Sequence, residues 1–371
     1  IEEWGCHVKY MIVGYESIAS SDRIYLETLK SIEGKRLFIV ADESILIKNI
    51  YAKRSKRTKE LRRMADYALA LNGTPIVKDE WDLYNQMDFL SPKIIGMNEG
   101  EFRTKFFKKI TKTITDGNYT SKEVWYEFYK PNAKALAAMI EPYIFECDLD
   151  FENKITEEYK YVQYLGTEYY ELKEELIKYI EDNPFNSSND TVCGYLVRMN
   201  KSSAVCKSKN KKIAEYIRGK RCIIFCGFLD ELAQIMEYTD GYSIIGKIGK
   251  NERNQIIEAW KNDNKPLVMT YGVGSFSLNL QSANEIIYSS LTWNYAHYEQ
   301  SLYRIKRLGQ KMDITYKYIL ADVPLQQMIL NNLIKKQSLI DLVKKNTAKD
   351  LATILNSEGS CDMSAKELPI N

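Results

Sequence analysis

The chain has 371 residues, 45% of them hydrophobic and 27% charged, with 52 basic against 50 acidic side chains and a net charge of +2. That composition excludes wholesale disorder and confines any nucleic-acid surface to a local patch, while the length predicts two or three domains at roughly 150 residues each. No window reaches the ~18 uninterrupted apolar residues of a membrane helix.

The sequence opens on Ile1 with no initiator Met, basic start or apolar run, which reads as a fragment or processed product and not as a signal peptide. Tyr10–Val13 and Leu37–Val40 read as short buried strands, and the second runs into Asp42 and Glu43. At the carboxyl end of a parallel strand, side chains meet the ligand crevice. Two adjacent acids there suit a nucleotide-Mg²⁺ site, one orienting the metal through its water shell and the other polarising the attacking water. The plain alternative is a strand followed by a solvated turn. A basic run follows (Lys48, Lys53, Arg54, Lys56, Arg57, Lys59, Arg62, Arg63) over an apolar stripe of Leu61, Met64, Ala65 and Ala68. It is either a solvated face or a track for nucleic-acid phosphates. The next apolar run ends in Gly73-Thr74-Pro75, a tight turn in which Gly permits close backbone approach and Thr offers a hydroxyl.

Between about Pro92 and Glu215 the chain is rich in Lys, Glu and Tyr and reads as mostly helical. Thr167 caps a helix with Leu172, Leu176, Tyr179 and Ile180 on one side, and Asn183–Asp190 is a loop. Arg221–Phe225, Leu267–Thr270 and Glu285–Tyr288 form a second cluster of strands. Cys222 and Cys226 share one face of the first and pack as small hydrophobes. Seven Cys without paired spacing point to reduced thiols in a cytosol, and only two His argue against structural zinc and Ser-His hydrolysis. Strands alternating with helices predict an α/β fold of parallel sheets covered on both faces. After Thr270 comes the small-residue loop Gly272-Val273-Gly274-Ser275, then Leu278-Asn279-Leu280-Gln281. Gln300 follows, with Arg304 and Arg307 three apart on one helix face, where they suit either the clamping of a polyphosphate or a solvated surface. Pro324 opens another helix, with Leu325, Met328, Ile329 and Leu333 on one side.

Taken in this order, the segments resemble the superfamily 2 helicase-like ATPases, and most closely their Swi/Snf-like branch. Asp42-Glu43-Ser44 with Lys48-Asn49 is similar to the DExx box and its Lys-Asn. Asn72–Ile76 resembles the third motif, and the spacing of Asp82-Leu83-Tyr84 to Phe89–Pro92 is typical of the branch. Met11–Ile18 is similar to the motif that usually reads NYE, and Ser208-Lys209 to the start of the second lobe. Leu278–Ala283 with Thr292-Trp293-Asn294 resembles the fifth motif. Gln300, Arg304, Arg307 and Gly309-Gln310 resemble the sixth. The resemblance covers roughly residues 10–335.

It implies two RecA-like lobes with parallel sheets, the first incomplete, with ATP in the cleft and nucleic acid across both. The first would span 1–150 with a helical insert at about 93–143. The second would span 151–335 with a helical insert at about 168–205, and 336–371 would be a helical tail. With ATP and Mg²⁺ bound, Asp42 would hold the metal through water and Glu43 would activate the attacking water. Gly73 and Thr74 would couple nucleotide state to lobe movement. Arg304 and Arg307 would act on the γ-phosphate, with Gln300 leading their motif. Asn279 and Trp293 would sit near the nucleic acid, and Lys53, Arg54, Lys56 and Arg57 would follow its phosphates. The implied activity is ATP-driven translocation on double-stranded DNA in a bacterial or phage-infected cytoplasm, without a membrane role and with targeting left to an insert or a partner protein. The alternatives are an ATPase-inactive nucleic-acid-binding remnant and a strand-separating RNA or DNA helicase. Ile45, Asn72, Ser277 and Tyr303 depart from the common pattern in the direction of bacteriophage and bacterial members. No proper phosphate-binding loop, G-x-x-x-x-G-K-[ST], is present; Gly241–Ile248 comes near but ends on Ile248, which has no hydroxyl for Mg²⁺. The resemblance places that loop upstream of Met11.

Overall fold

The computed structural model describes residues 3–356 apart from 5–7, 74, 77–78, 117–118, 148–151, 184–187, 275–277, 336–338, 340–341 and 344–347. The chain divides after Cys147 into two compact units.

The first unit begins with β1 (Glu3–Trp4) and β2 (Val8–Lys9), a short antiparallel pair. Tyr10–Val13, expected as a strand, has no regular structure. Its residues are exposed or half-buried, with Ile12 98% accessible, so the apolar run has no sheet to join. Helices α1 (Tyr15–Ser20) and α2 (Asp22–Ile32) follow, the second capped by the Ser21 hydroxyl, which accepts from Ile24 N. Strand β3 (Phe38–Ala41), helix α3 (Lys53–Arg63) and strand β4 (Tyr67–Ala70) form a right-sized parallel unit, but the sheet has only these two strands. Helix α3 stops at Arg63 and turns Ser55, Thr58 and Leu61 inward; Met64 is exposed and Ala68 belongs to β4, so the expected stripe is not one helix face.

Helices α4 (Trp81–Leu90), α5 (Pro92–Ile95) and α6 (Glu99–Phe106) carry the main core of this unit, in which Leu83, Met87, Ile95, Phe102 and Phe106 are buried. Local chemistry sets their limits. Pro92 sits in the first turn of α5, and Asn98 and Glu101 close a capping box on α6. The stretch expected as a helical insert then pairs β5 (Phe107–Asp116) with β6 (Tyr119–Phe128) in an antiparallel hairpin before α7 (Ala133–Ile140). The reason is local: Ile110, Thr111, Thr113, Ile114 and Thr115 are β-branched and stiff, and favour an extended chain.

The second unit is built on one six-stranded parallel sheet. In chain order it contains β7 (Ile155–Gln163), α8 (Glu168–Asp182), α9 (Asn189–Ala204), α10 (Lys207–Ile217), β8 (Ile223–Cys226), α11 (Leu229–Tyr238), β9 (Tyr242–Ile244), α12 (Lys250–Lys261), β10 (Leu267–Thr270), α13 (Tyr271–Gly274), β11 (Glu285–Tyr288), α14 (Tyr295–Leu302), β12 (Ile314–Asp322), α15 (Pro324–Ile334) and α16 (Ala348–Asn356). The strand order is β7-β12-β11-β8-β10-β9. Both faces are covered, as parallel sheets require. Ile223 and Phe225 of β8 face the larger core with α8, α9, α12, α14 and α15, while Cys222, Ile224 and Cys226 face the smaller one with α10 and α11. Burial pushes both thiols up, out of the reactive range. No helix among the described residues is long and apolar enough to cross a membrane.

Candidate nucleotide sites

In the first unit the acid pair closes β3. Asp42 and Glu43 are both exposed at its carboxyl end, as the strand-end argument expects. Glu43 adopts φ 51° and ψ 54°, the sole non-glycine residue with positive φ among the described residues. A left-handed backbone at a residue with a Cβ costs roughly 1–2 kcal/mol, so the surroundings must hold it. They do so from both sides. Ser44 N donates to Leu71 O (2.9 Å) and Leu71 N to Ala41 O (2.9 Å), tying the turn to the end of β4. The buried Ser44 hydroxyl donates to Gln86 Oε1 (2.7 Å), which also accepts from Asn72 Nδ2 (3.2 Å). Gln86 Nε2 in turn donates to the carbonyls of Pro75 (2.8 Å) and Asp82 (2.6 Å). One amide on α4 thus joins the turn after β3 to the turn after β4.

The Asp42 carboxylate accepts from its neighbour's amide, Glu43 N (3.1 Å), and is otherwise open to solvent. A lone exposed carboxylate fits a Mg²⁺ ion that keeps its water shell, and among the described residues no cluster of three His, Cys, Asp or Glu gathers to chelate a metal directly. The Tyr15 hydroxyl donates to Asp42 O (2.9 Å), and burial together with the charges of Asp42 and Glu43 pushes that phenol up to about 12. Gly73 is exposed with no atom of the described residues within 4 Å of where a Cβ would lie, so the close approach its residue type permits is not made among them. Thr74 lies outside the described residues. The Lys48 ammonium, beside the acid turn, is held by Asp82 (3.0 Å).

In the second unit, helix α14 stops at Leu302, so Arg304 and Arg307 lie on the turns that follow it and not on one helix face. Arg304 is buried; Arg307 is half-buried, with Nε donating to Tyr303 O (2.9 Å). The physical reason is the end of the segment: Gly309 takes φ +92° and Gln310 folds inward, pulling the backbone off the helical path. Gln310 Nε2 donates to Ala283 O (3.0 Å) and Gln281 O (3.3 Å), while its Oε1 accepts from Lys311 N (3.0 Å) and Met312 N (3.1 Å). Gln281 Nε2 reciprocates to Leu308 O (2.7 Å). The arginine turn is therefore clamped to the 281–283 segment. Gln300 is half-buried with an unpartnered Oε1, and so is Trp293 with an unpartnered Nε1. Asn279 is exposed, its Oδ1 accepting from Gln281 N (3.2 Å). Gly272–Gly274, expected as loop, belongs to the short helix α13, and Ser275 and Ser277 lie outside the described residues. Gly241–Ile248 sits at edge strand β9, and a Cβ at Gly241 would meet Pro266 O at 2.8 Å.

The basic run is tied into its own unit. Arg54 pairs with Glu16 (2.8 Å), Lys53 with Asp22 (3.1 Å), and Arg57 with Asp22, with Ile18 O (2.6 Å) and with the Tyr25 ring (4.4 Å). Lys56 turns to solvent and, alone of the four, pairs with no acid among the described residues. Partners 31 to 38 positions away are invisible to a local reading. Two further groups escaped the sequence. Gln86 is one. The other is the buried Lys209–Glu231 pair (3.0 Å), which Ser290 Oγ (2.7 Å to Glu231) and Gly227 N (3.0 Å) complete. Only Ser208-Lys209 carried a signal, as a lobe start.

Known proteins resemble this chain over most of its length. The chain is 26% identical to an uncharacterized ATP-dependent helicase of Mycoplasma pneumoniae over 85% of its length and 31% of the relative's. It is 21% identical to the DNA annealing helicase and endonuclease ZRANB3 of Bos taurus, over 88% of this chain and 31% of that one. The chain spans about a third of the length of the curated relatives it matches. The Sulfolobus solfataricus SWI2/SNF2 ATPase core in complex with dsDNA is similar at a TM-score of 0.44, with 22% identity over 90% of this chain and 75% of that one. A helicase conserved C-terminal domain profile matches residues 208–309. With the SNF2-related domain profile matching residues 3–220, more than half of its length, the chain belongs to the SNF2-related family.

Proposed function

We propose that this chain belongs to an ATP-hydrolysing motor that translocates on double-stranded DNA, working in the cytoplasm of a bacterial or phage-infected cell. The observation that carries the reading is the Asp42-Glu43 turn: an exposed acid pair at a parallel strand end, with Glu43 held in a left-handed backbone by a buried network. On this reading the left-handed backbone sets the direction of the Glu43 carboxylate. Asp42 would hold a Mg²⁺ ion through its water shell, and that ion would supply charge neutralisation at the phosphates of a bound nucleotide. Glu43 accepts the proton of the attacking water. Arg304 and Arg307 offer planar charge to the transferring phosphoryl group. Lys56, Asn279 and Trp293 serve the DNA. The relatives' names point to ATP-dependent helicases, and a Sulfolobus relative was solved on dsDNA. The departures at Ile45, Asn72 and Tyr303 suit a bacterial or phage member.

The test is Glu43→Gln in the full-length protein, assayed for nucleotide binding and duplex-stimulated phosphate release. Binding should persist while turnover falls by 10²-fold or more, in the range of a lost general base. Normal turnover would overturn the reading and leave a DNA-binding remnant.

A further inference from the structure

The second unit carries an aromatic rung that the motifs do not account for. Tyr159, Tyr318, Tyr288 and Phe225 are in-register neighbours on the adjacent strands β7, β12, β11 and β8. Their rings stack in series: 4.5 Å and 6° for Tyr159 on Tyr318, 5.0 Å and 20° for Tyr318 on Tyr288, 5.9 Å and 19° for Tyr288 on Phe225. Packing alone would be served as well by phenylalanine. The hydroxyls are what differ: two from the rung, with that of Tyr316 two residues earlier on β12, reach one place. Tyr318 Oη meets Tyr298 Oη of α14 (2.6 Å), Tyr288 Oη meets Ser301 Oγ of α14 (2.8 Å), and Tyr316 Oη donates to Leu302 O (2.9 Å), the last residue of that helix.

Helix ends leave carbonyls without intrahelical partners. At Leu302 the following chain offers only Lys306 N at 3.5 Å, so the phenol of Tyr316 supplies the short bond. The next residues are Tyr303 and Arg304. Burial pushes the phenols of Tyr288, Tyr316 and Tyr318 well above their usual range, so all three keep their protons. From the far side, Gln310 clamps the same turn to Gln281 and Ala283. The arginine turn is thus fixed at both ends, by the sheet on one side and by Gln310 on the other.

We propose that Tyr288, Tyr316 and Tyr318 are positioning residues whose hydroxyls, acting through Tyr298, Ser301 and Leu302, set the place of Arg304 for phosphoryl transfer. This rests on the reading of Arg304 as a residue acting on the phosphate. A displacement of about 1 Å at a reacting group costs on the order of 10²-fold.

The test uses Tyr→Phe changes in the full-length protein, which keep the ring stack and delete the hydroxyls. Tyr316→Phe and the triple Tyr288, Tyr316, Tyr318→Phe should cut duplex-stimulated turnover at saturating ATP, the triple by tenfold or more. KM for ATP and DNA affinity should stay within about twofold. Tyr159→Phe, in the same stack but bonded to Glu157 (2.8 Å) and not to α14, should leave turnover unchanged. On an Arg304→Lys background, Tyr316→Phe should slow turnover no further, since both act on one group. A triple mutant with normal turnover beside a slow Arg304→Lys would overturn the positioning role alone. So would equal losses in Tyr159→Phe and Tyr316→Phe, or multiplicative effects with Arg304→Lys. Normal turnover in Arg304→Lys itself would overturn the functional reading and this inference with it.

Discussion

Gln86→Met is the sharpest test of how the acid turn is held. Gln86 is 2% exposed and Met matches its length without any amide. The substitution strips the Ser44 hydroxyl of its 2.7 Å acceptor and leaves only Asn72 Nδ2 at 3.4 Å beside it. The Pro75 and Asp82 carbonyls and Asn72 Nδ2 also lose a partner, but Pro75 is exposed, Asn72 is half-buried, and the Asp82 carbonyl lies within helix α4. The cost is therefore that of one buried, poorly satisfied hydroxyl, about 1–3 kcal/mol. The left-handed Glu43 stores roughly 1–2 kcal/mol that opening of the turn would release. The two are comparable, so the turn should open far more often while the unit stays folded. Hydrogen exchange at the Ser44 amide, which bonds Leu71 O at 2.9 Å, reads this directly. Protection there should fall about 5- to 150-fold, the factor equivalent to 1–3 kcal/mol, with little change at β4. In the full-length enzyme, turnover should fall with nucleotide affinity retained. Unchanged protection at Ser44 would show that the backbone ladder alone fixes Glu43 and that the Gln86 network is incidental.

Arg304→Lys and Arg307→Lys should each slow duplex-stimulated ATP hydrolysis severely, by up to roughly 10³-fold, and less than additively in the double mutant; near-normal rates in both would reduce the segment to a basic surface. Burial holds His297 of α14 below its usual 6.5, so the unfolded chain takes up the proton first. Stability from this group is present above about pH 6.5 and falls as pH drops, and His297→Gln should shrink the shift in urea midpoint between pH 7.5 and 5.5; an identical shift refutes it. Arg57→Ala should lower the melting temperature of the first unit by releasing Asp22, the Ile18 carbonyl and Tyr25, whereas Lys56→Ala should leave melting unchanged and weaken duplex binding. The reverse pattern would return Lys56 to a merely solvated role. Residues 1–371 alone should bind labelled ATP weakly, because their sequence contains no G-x-x-x-x-G-K-[ST] motif; micromolar affinity would refute this.

Much of the fold could be read where a single local rule governs. Leu267–Thr270 and Glu285–Tyr288 are short apolar runs bounded by turn residues and are strands at those limits, and Pro324 does open α15. The acid pair at the end of β3 was legible for the same reason. The hairpin over 107–128 was hidden by its Lys and Glu content, although its β-branched residues and Gly117-Asn118 were the available signal. Arg304 and Arg307 looked helical because spacing says nothing of where a helix stops; that depends on Gln310 reaching Ala283, 27 positions away. Gln86 offered no signal at all. Its role comes from two turns that meet only once β3 and β4 are side by side.

The β3–β4 pair has a further consequence, for how copies of the chain behave toward one another. Phe38 pairs with Tyr67 and Val40 with Leu69, and these four side chains, 62%, 59%, 46% and 40% accessible, form one apolar face. Parallel sheets are ordinarily covered on both faces, and two strands alone are marginal. Among the described residues no third strand pairs with either edge of this ribbon. Two copies of it offer each other an apolar face and strand edges at once. Residues 1–371 in isolation should therefore self-associate through Phe38 and Tyr67, until one of them is made polar.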